Sequence, residues 1–259
     1  MPYKKTLKLK KKLADGALSP GIWTTIPSPT VCEIIAGAGF DWVIVDAEHS
    51  TYNPETLLHI LMAFNASDTV PIIRIPSNNE VTIKQVLDMG WGGIVAPQIS
   101  SIKEVRQAIS ACKYPPQGIR GFGPRRVSNY CKDLDDYTSC ANDALICAIQ
   151  IENVSAAAQI DEIVKLPGLD WVLLGPNDLS GSMGCFGDMT NPELWETIRK
   201  ILETAQAAGL PTGNPLGNAD TIRQTLELGC QLVTLGDDIS YLQNGMNNAL
   251  KLFNDTTAT

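Results

Sequence analysis

One phrase recurs along the chain: a helical stretch, a glycine, two or three residues, then a short apolar run ending in polar residues. It reads AGAGFDWVIVDAEH, LDMGWGGIVAPQ, LPGLDWVLLGPND and LELGCQLVTLGDD. Glycine just past a helix supplies a left-handed cap, and an uninterrupted apolar run suits a strand buried on both faces. Each phrase is therefore one α-turn-β step. GIWTT near residue 21, PIIRI at 71–75, LICAIQIE at 145–152 and the weaker LPTGN at 210–214 bring the candidate strands to eight. Helical stretches fall near 28–38, 53–65, 80–89, 103–112, 154–165, 192–208, 219–228 and 239–252. Eight alternating units in 259 residues point to one (β/α)8 barrel spanning 1–259, rather than to an open doubly wound sheet. No GxGxxG follows the first strand, which also weighs against a dinucleotide fold.

Charge and composition narrow the function. A formal charge of −8 argues against nucleic acid as the main partner, because phosphate binding needs a basic surface. No apolar run is long enough to cross a bilayer. The seven cysteines, at 32, 112, 131, 140, 147, 185 and 230, form neither CxxC pairs nor a disulfide framework, so reduced thiols in the cytoplasm are expected. The lysine-rich start, MPYKKTLKLKKKLADG, lacks arginine and the apolar core of a secretory signal. It reads as a short amphipathic surface helix with the lysines as its wet face.

Barrel enzymes draw their working residues from the C-terminal ends of strands. Those ends offer Trp23; Asp46, Glu48 and His49; Arg74; Gln150 and Glu152; Asn177 and Asp178; Asn214 and Leu216; and Asp237 and Asp238. The stretch 145–181 stands out, since two consecutive apolar runs end at Glu152 and Asp178. Two carboxylates are hard oxygen donors that leave positions for water and substrate, as Mg²⁺ and Mn²⁺ sites commonly do. The alternative for Asp178 and its neighbour Asn177 is helix N-capping.

Arg74 ends an apolar run with no acid beside it in sequence. It either awaits an anionic substrate or pairs with a distant carboxylate such as Glu48. His49, an imidazole among carboxylates at a strand end, suits a general base, whereas His59 falls inside a helix and reads as structural. Lys84, Lys103, Lys113, Lys165, Lys200 and Lys251 all fall on or beside helices, which favours a metal over a Schiff base as electron sink. The long irregular segment 114–134, with Arg120, Arg125 and Arg126, suits a lid, a partner contact or a mobile loop.

Several ordered motifs, GFDWVIVDAEHS, PIIRIPSNN, IKQVLDMGWGGIVAPQ, YPPQGIRGFGP, AIQIEN and LLGPNDLS, together resemble the HpcH/HpaI aldolase family over residues 18–240. These are class II pyruvate aldolases that include 2-keto-3-deoxy-sugar-acid aldolases, with macrophomate-synthase-like and citrate-lyase β-like branches. The resemblance implies that Glu152 and Asp178 hold a divalent metal, Mg²⁺ or Mn²⁺, with Co²⁺ also admissible. Arg74 and Gln150 would contact the keto-acid, and His49 would be part of the base. Backbone amides around Gly175, Asn177 and Asp178 would receive the pyruvate carboxylate. Trp23 and Leu216 match positions on the aldehyde side, and Asp46 one beside the histidine.

The resemblance also implies an aspartate partnering the histidine, at Asp88. A helix antiparallel to its strand carries Asp88 to the bottom of its own barrel. Asp88 is then structural, or it reaches the site of a neighbouring subunit. The second is favoured because the resemblance implies a symmetric homo-oligomer, a trimer or hexamer. Trp91 replaces an expected small residue and Asn177 an expected alanine.

The implied activity makes or breaks the carbon–carbon bond of 4-hydroxy-2-oxo acids through a pyruvate enolate, with a keto-acid (pyruvate or oxaloacetate) and an aldehyde as small-molecule partners. Oxaloacetate decarboxylation or a macrophomate-synthase-like reaction would use the same enolate. A barrel that binds a keto-acid without catalysis is the reading from another class.

Overall fold

Alternate residues along each strand divide between two environments, and this division builds the molecule. The computed structural model describes residues 2–257 except 215, 216 and 218. Its strands are β1 (Ser19–Thr24), β2 (Trp42–Asp46), β3 (Val70–Arg74), β4 (Gly93–Ala96), β5 (Ile146–Ile151), β6 (Trp171–Leu174), β7 (Thr212–Asn214) and β8 (Leu232–Asp237). All are parallel, in chain order, in one closed barrel. Trp42, Ile44, Val70, Ile72, Ile146, Ala148, Trp171 and Leu173 form the inner core. Val43, Val45, Ile73, Cys147, Ile149 and Val172 pack outward under the helices. Continuing the same period of two brings Asp46, Arg74, Gln150, Glu152 and Gly175 inward at the upper end. Gly21 leaves room for the inner ring of Trp42, because a β-carbon there would stand 2.0 Å from it.

The helices are α1 (Pro2–Ala14), α2 (Pro29–Gly37), α3 (Pro54–Ala63), α4 (Glu80–Met89), α5 (Ile102–Cys112) and α6 (Leu134–Cys140). They continue as α7 (Val154–Ala157), α8 (Ile160–Ile163), α9 (Pro176–Ser182), α10 (Pro192–Ala207), α11 (Ala219–Glu227) and α12 (Asp238–Thr257). Side-chain caps set many of the starts: Asn53, Asn79, Asn153 and Asn191 accept first-turn N–H groups, and Ser101 forms a capping box with Glu104. The single helix expected over 154–165 is two short ones. Between them Gln159 turns its side chain to Ser100 and Ile102 of the neighbouring unit as well as to Ser155.

The N-terminal helix does more than cover surface. Leu9 and Leu13 of α1 enter the inner core from below, Tyr3 is buried against Tyr137, and Lys10 and Lys12 pair with Asp170 and Asp41. Lys5 Nζ donates to the Phe64 carbonyl at the end of α3 (2.7 Å), where the helix dipole favours a cation.

The segment 114–134 joins α5 to the strand-entry end of the barrel, opposite the upper face, so it is no lid over its own site. Arg120 pairs with Asp88 (2.6 Å), and Arg126 donates to the Met89 carbonyl ending α4 (2.6 Å). Ile119, Phe122 and Tyr130 of this segment remain exposed.

The last helix, α12, leaves the barrel. Beyond Asp238 all its described side chains are exposed or half-buried, including Ile239, Leu242, Met246, Leu250 and Phe253, which recur every three or four residues. No described helix is long and apolar enough to cross a membrane, and all seven cysteines are free thiols.

Candidate active site

Register places the first pair: Asp46 and Arg74 are direct partners on β2 and β3. Arg74 donates from Nε to Asp46 Oδ1 (2.8 Å) and from Nη2 to Oδ2 (2.7 Å). Its third nitrogen, Nη1, reaches Gln150 Oε1 (3.2 Å), Nε lies 3.3 Å from Glu48 Oε2, and its face packs 4.9 Å from the Trp23 ring. Arg74 thus pairs with both Asp46 and Glu48. Burial alone would raise the Asp46 carboxyl, but the hydrogen bonds and charge of Arg74 outweigh it, aided by the Glu48 and His49 N–H groups, and hold it below the ordinary carboxylate range.

Glu48, His49, Gln98, Glu152, Asn153, Asp178 and Ser182 line a cleft of about 350 Å³ above the strand ends. Glu152 is 6% exposed and accepts the Gln98 N–H. Gln98 also donates from Nε2 to Glu48 Oε1 (2.9 Å). Its φ of +54° lies in the left-handed region, so the chain accepts backbone strain to aim that N–H. Desolvation pushes the Glu152 carboxyl up to about 7, against the Gln98 hydrogen bond, and the charges of Glu48 and Asp178 push it further up, while Arg74 pulls it down. Gly175 closes in behind: a β-carbon there would lie 2.5 Å from Glu152 and 2.7 Å from Gln150 Nε2.

Asp178 sits in the first turn of α9, whose N-cap is Gly175 without a side-chain cap bond, so neither Asp178 nor Asn177 is an N-cap. Both are exposed toward solvent at the upper end. His49 stands at the rim with its side chain 64% exposed and Nε2 3.7 Å from Glu48 Oε2. Asp88, next to last in α4, belongs to the opposite end of the barrel and is paired there with Arg120, so one chain does not bring it to His49. Trp91 is buried in the outer core. Leu216 lies outside the described residues.

A family model, HpcH/HpaI aldolase/citrate lyase, matches residues 20–245. The chain belongs to this aldolase family. Among relatives in the HpcH/HpaI group is a 5-keto-4-deoxy-D-glucarate aldolase of Enterobacter sp. (strain 638), 33% identical over 92% of this chain and 93% of that protein. The Salmonella arizonae protein of the same name is 32% identical over 95% and 96%. An HpcH/HpaI aldolase/citrate lyase family structure from Burkholderia cenocepacia superposes with a TM-score of 0.90 at 28% identity, covering 95% of this chain and 98% of that one. Citrate synthase SbnG is similar at a TM-score of 0.87 and 30% identity, over 98% and 100%. This HpcH/HpaI chain is accordingly an enzyme, an aldolase-type carbon–carbon lyase.

The donor set suits a hard divalent cation. Glu48, Glu152 and Asp178 bring like charges into one cleft, where the buried Glu48 Oε2 has the 3.3 Å ion pair to Arg74 but no hydrogen bond among the described residues. Among the described residues no lysine lines the cleft. Among the described residues no three His, Cys, Asp or Glu side chains form a ready-made metal cage. Gln98, two residues past the end of β4, is a site residue that the strand-end reading did not include; its place as the first polar side chain after the apolar run GIVAP was the available signal.

Proposed function

We propose that this enzyme cleaves, and in reverse forms, 4-hydroxy-2-oxo acids, releasing pyruvate and an aldehyde. The observation that carries the reading is the gathering of Glu48, Glu152 and Asp178 opposite one guanidinium, with Glu152 pushed up to about 7 by burial and like charge. Glu152 and Asp178 would hold Mg²⁺ or Mn²⁺, with Co²⁺ also admissible. Such an ion supplies fixed positive charge beside a keto oxygen on which negative charge develops.

The remaining work falls to this chain's own groups. Backbone amides around Gly175, Asn177 and Asp178 would receive the keto-acid carboxylate at the start of α9. Arg74, held flat by its two hydrogen bonds to Asp46, would donate to the developing enolate oxygen, with Gln150 beside it. His49 would take the proton from the C4 hydroxyl. The C3–C4 bond then breaks, its electron pair passes to the pyruvate enolate, and a proton returned to C3 completes pyruvate. Trp23 and Leu216 would border the aldehyde side.

The same reading makes the enzyme a homo-oligomer, a trimer or hexamer, with Asp88 serving the His49 of a neighbouring copy. Its support is the unpartnered apolar stripe of α12 and the exposed Ile119, Phe122 and Tyr130 near Asp88. A cytoplasmic setting suits the seven free thiols.

Because the relatives named above are 5-keto-4-deoxy-D-glucarate aldolases, a keto-deoxy sugar acid is the first substrate to try. The test is a screen of 4-hydroxy-2-oxo acids and oxaloacetate with and without EDTA, following pyruvate, aldehyde and CO₂ together. EDTA-sensitive release of pyruvate with aldehyde supports the aldolase. Release of CO₂ with pyruvate from oxaloacetate, and of no aldehyde from any 4-hydroxy-2-oxo acid, would replace it with a decarboxylase.

A further inference from the structure

Among the described residues the mechanism leaves one buried acid unused. Asp238, the first residue of α12, is 6% exposed and forms no ion pair among the described residues. Its two oxygens are instead turned to the end of β1. Oδ2 accepts from Thr24 Oγ1 (2.6 Å), Thr25 N (3.0 Å) and Ile26 N (2.9 Å), while Oδ1 accepts from Thr25 N (3.1 Å) and Thr25 Oγ1 (3.2 Å). A helix start needs nothing of this kind, and the neighbouring Asp237 already caps α12 through Ser240 N (2.8 Å) and Oγ (2.6 Å). Asp238 adds only its own contact to Ile239 N there (3.0 Å).

Residue 23 immediately precedes the gripped turn. Trp23 is in regular register with Ile44 of β2, but the β1–β8 pairing is irregular between Gly21 and Trp23, so on the β8 side the end of β1 is held by the Asp238 contacts as well as by the ladder. Its ring lies 4.9 Å from the Arg74 guanidinium carbon. We propose that Asp238 is a positioning residue: by holding residues 24–26 it fixes Trp23 against Arg74 and so shapes the aldehyde side of the site. The proposal rests on the aldolase reading for its kinetic consequence, but its structural content is separate. Arg74 is gripped independently by Asp46, so enolate formation does not depend on Asp238.

Asp238→Asn keeps the side-chain size but offers one acceptor oxygen to donors that now share two. Its kcat/KM for aldol cleavage should fall roughly ten- to a hundredfold, mainly through KM, as for a contact displaced by about an ångström. Deuterium exchange into the pyruvate methyl group should stay close to wild type. In a cycle with Trp23→Phe, the double variant should be little worse than the worse single variant. Parallel loss of cleavage and exchange, or losses that multiply, would overturn the proposal. Should Asp238→Asn fail to fold, Thr24→Val removes the 2.6 Å bond while keeping the side-chain shape, and should show the same split.

Acrylamide quenching reads the contact without turnover. Asp238→Asn should expose a tryptophan that the Trp23→Phe, Asp238→Asn double variant lacks; unchanged quenching would refute the positioning role whichever way the aldol assay goes. Absence of methyl exchange in the wild type, by contrast, would refute the aldolase reading and leave the quenching result to decide this one.

Discussion

Asp46 and Arg74 face each other across β2 and β3 and are joined by two hydrogen bonds of 2.8 and 2.7 Å. Fork-on-fork pairing fixes the plane of the guanidinium as well as its position, leaving Nη1 directed toward Gln150. A lysine offers a point charge without that plane. Arg74→Lys should therefore lower kcat by roughly a hundredfold, the scale for losing one preorganised donor to a developing oxyanion. Steady-state kinetics of pyruvate release would check it, and an unchanged kcat would remove Arg74 from the mechanism.

Glu152 gives a pH prediction for the metal-free protein. Its folded carboxyl is pushed to about 7 from an ordinary 4.5, so protonation favours the fold. That contribution is fully present below about 4.5 and is lost as pH rises through about 7, on the order of 3 kcal/mol in all. In EDTA, thermal stability should fall over this window in the wild type and much less in Glu152→Gln, which cannot ionise there. At pH 8 added Mg²⁺ should raise the wild-type Tm and leave the variant unmoved. A Glu152→Gln protein less stable than wild type at pH 8 in EDTA would contradict this.

Much of the barrel was legible in sequence because most strands are short apolar runs with polar residues above, and those at β2, β4, β6 and β8 also carry a glycine turn below. The strict alternation that buries Trp42 and Ile44 also aims Asp46, and the one that buries Val70 and Ile72 aims Arg74. Less legible were features set by tertiary contact. Gln98 acts through a strained backbone N–H, which residue type does not reveal. The Asp46–Arg74 pair depends on strand register, so its acid lies 28 residues away in sequence. The split of α7 from α8 follows from where the Gln159 side chain finds acceptors and a donor.

Asp88 predicts complementation. His49→Asn and Asp88→Asn should each be nearly inactive as pure proteins. Mixed and allowed to exchange subunits, they should regain part of wild-type turnover, because some sites then combine an intact His49 with an intact Asp88 from another copy. Failure to recover any activity under demonstrated exchange would return Asp88 to a structural role beside Arg120.

The α12 stripe predicts assembly. Leu242→Asp combined with Leu250→Asp changes two exposed side chains and no barrel contact, so the circular dichroism of the barrel should persist while the mass by light scattering drops. A wild-type protein that is monomeric at micromolar concentration would overturn the oligomer reading.

On the proposed reading Glu152 and Asp178, from consecutive barrel units, hold an ion that makes the methyl protons of a bound keto-acid labile. Proton NMR of pyruvate in D₂O tests it most directly. Wild-type enzyme with Mg²⁺ should replace the methyl protons by deuterium, EDTA should stop the exchange, and Glu152→Ala and Asp178→Ala should show none. Exchange that persists in EDTA, or in Glu152→Ala with its rate intact, would contradict the account.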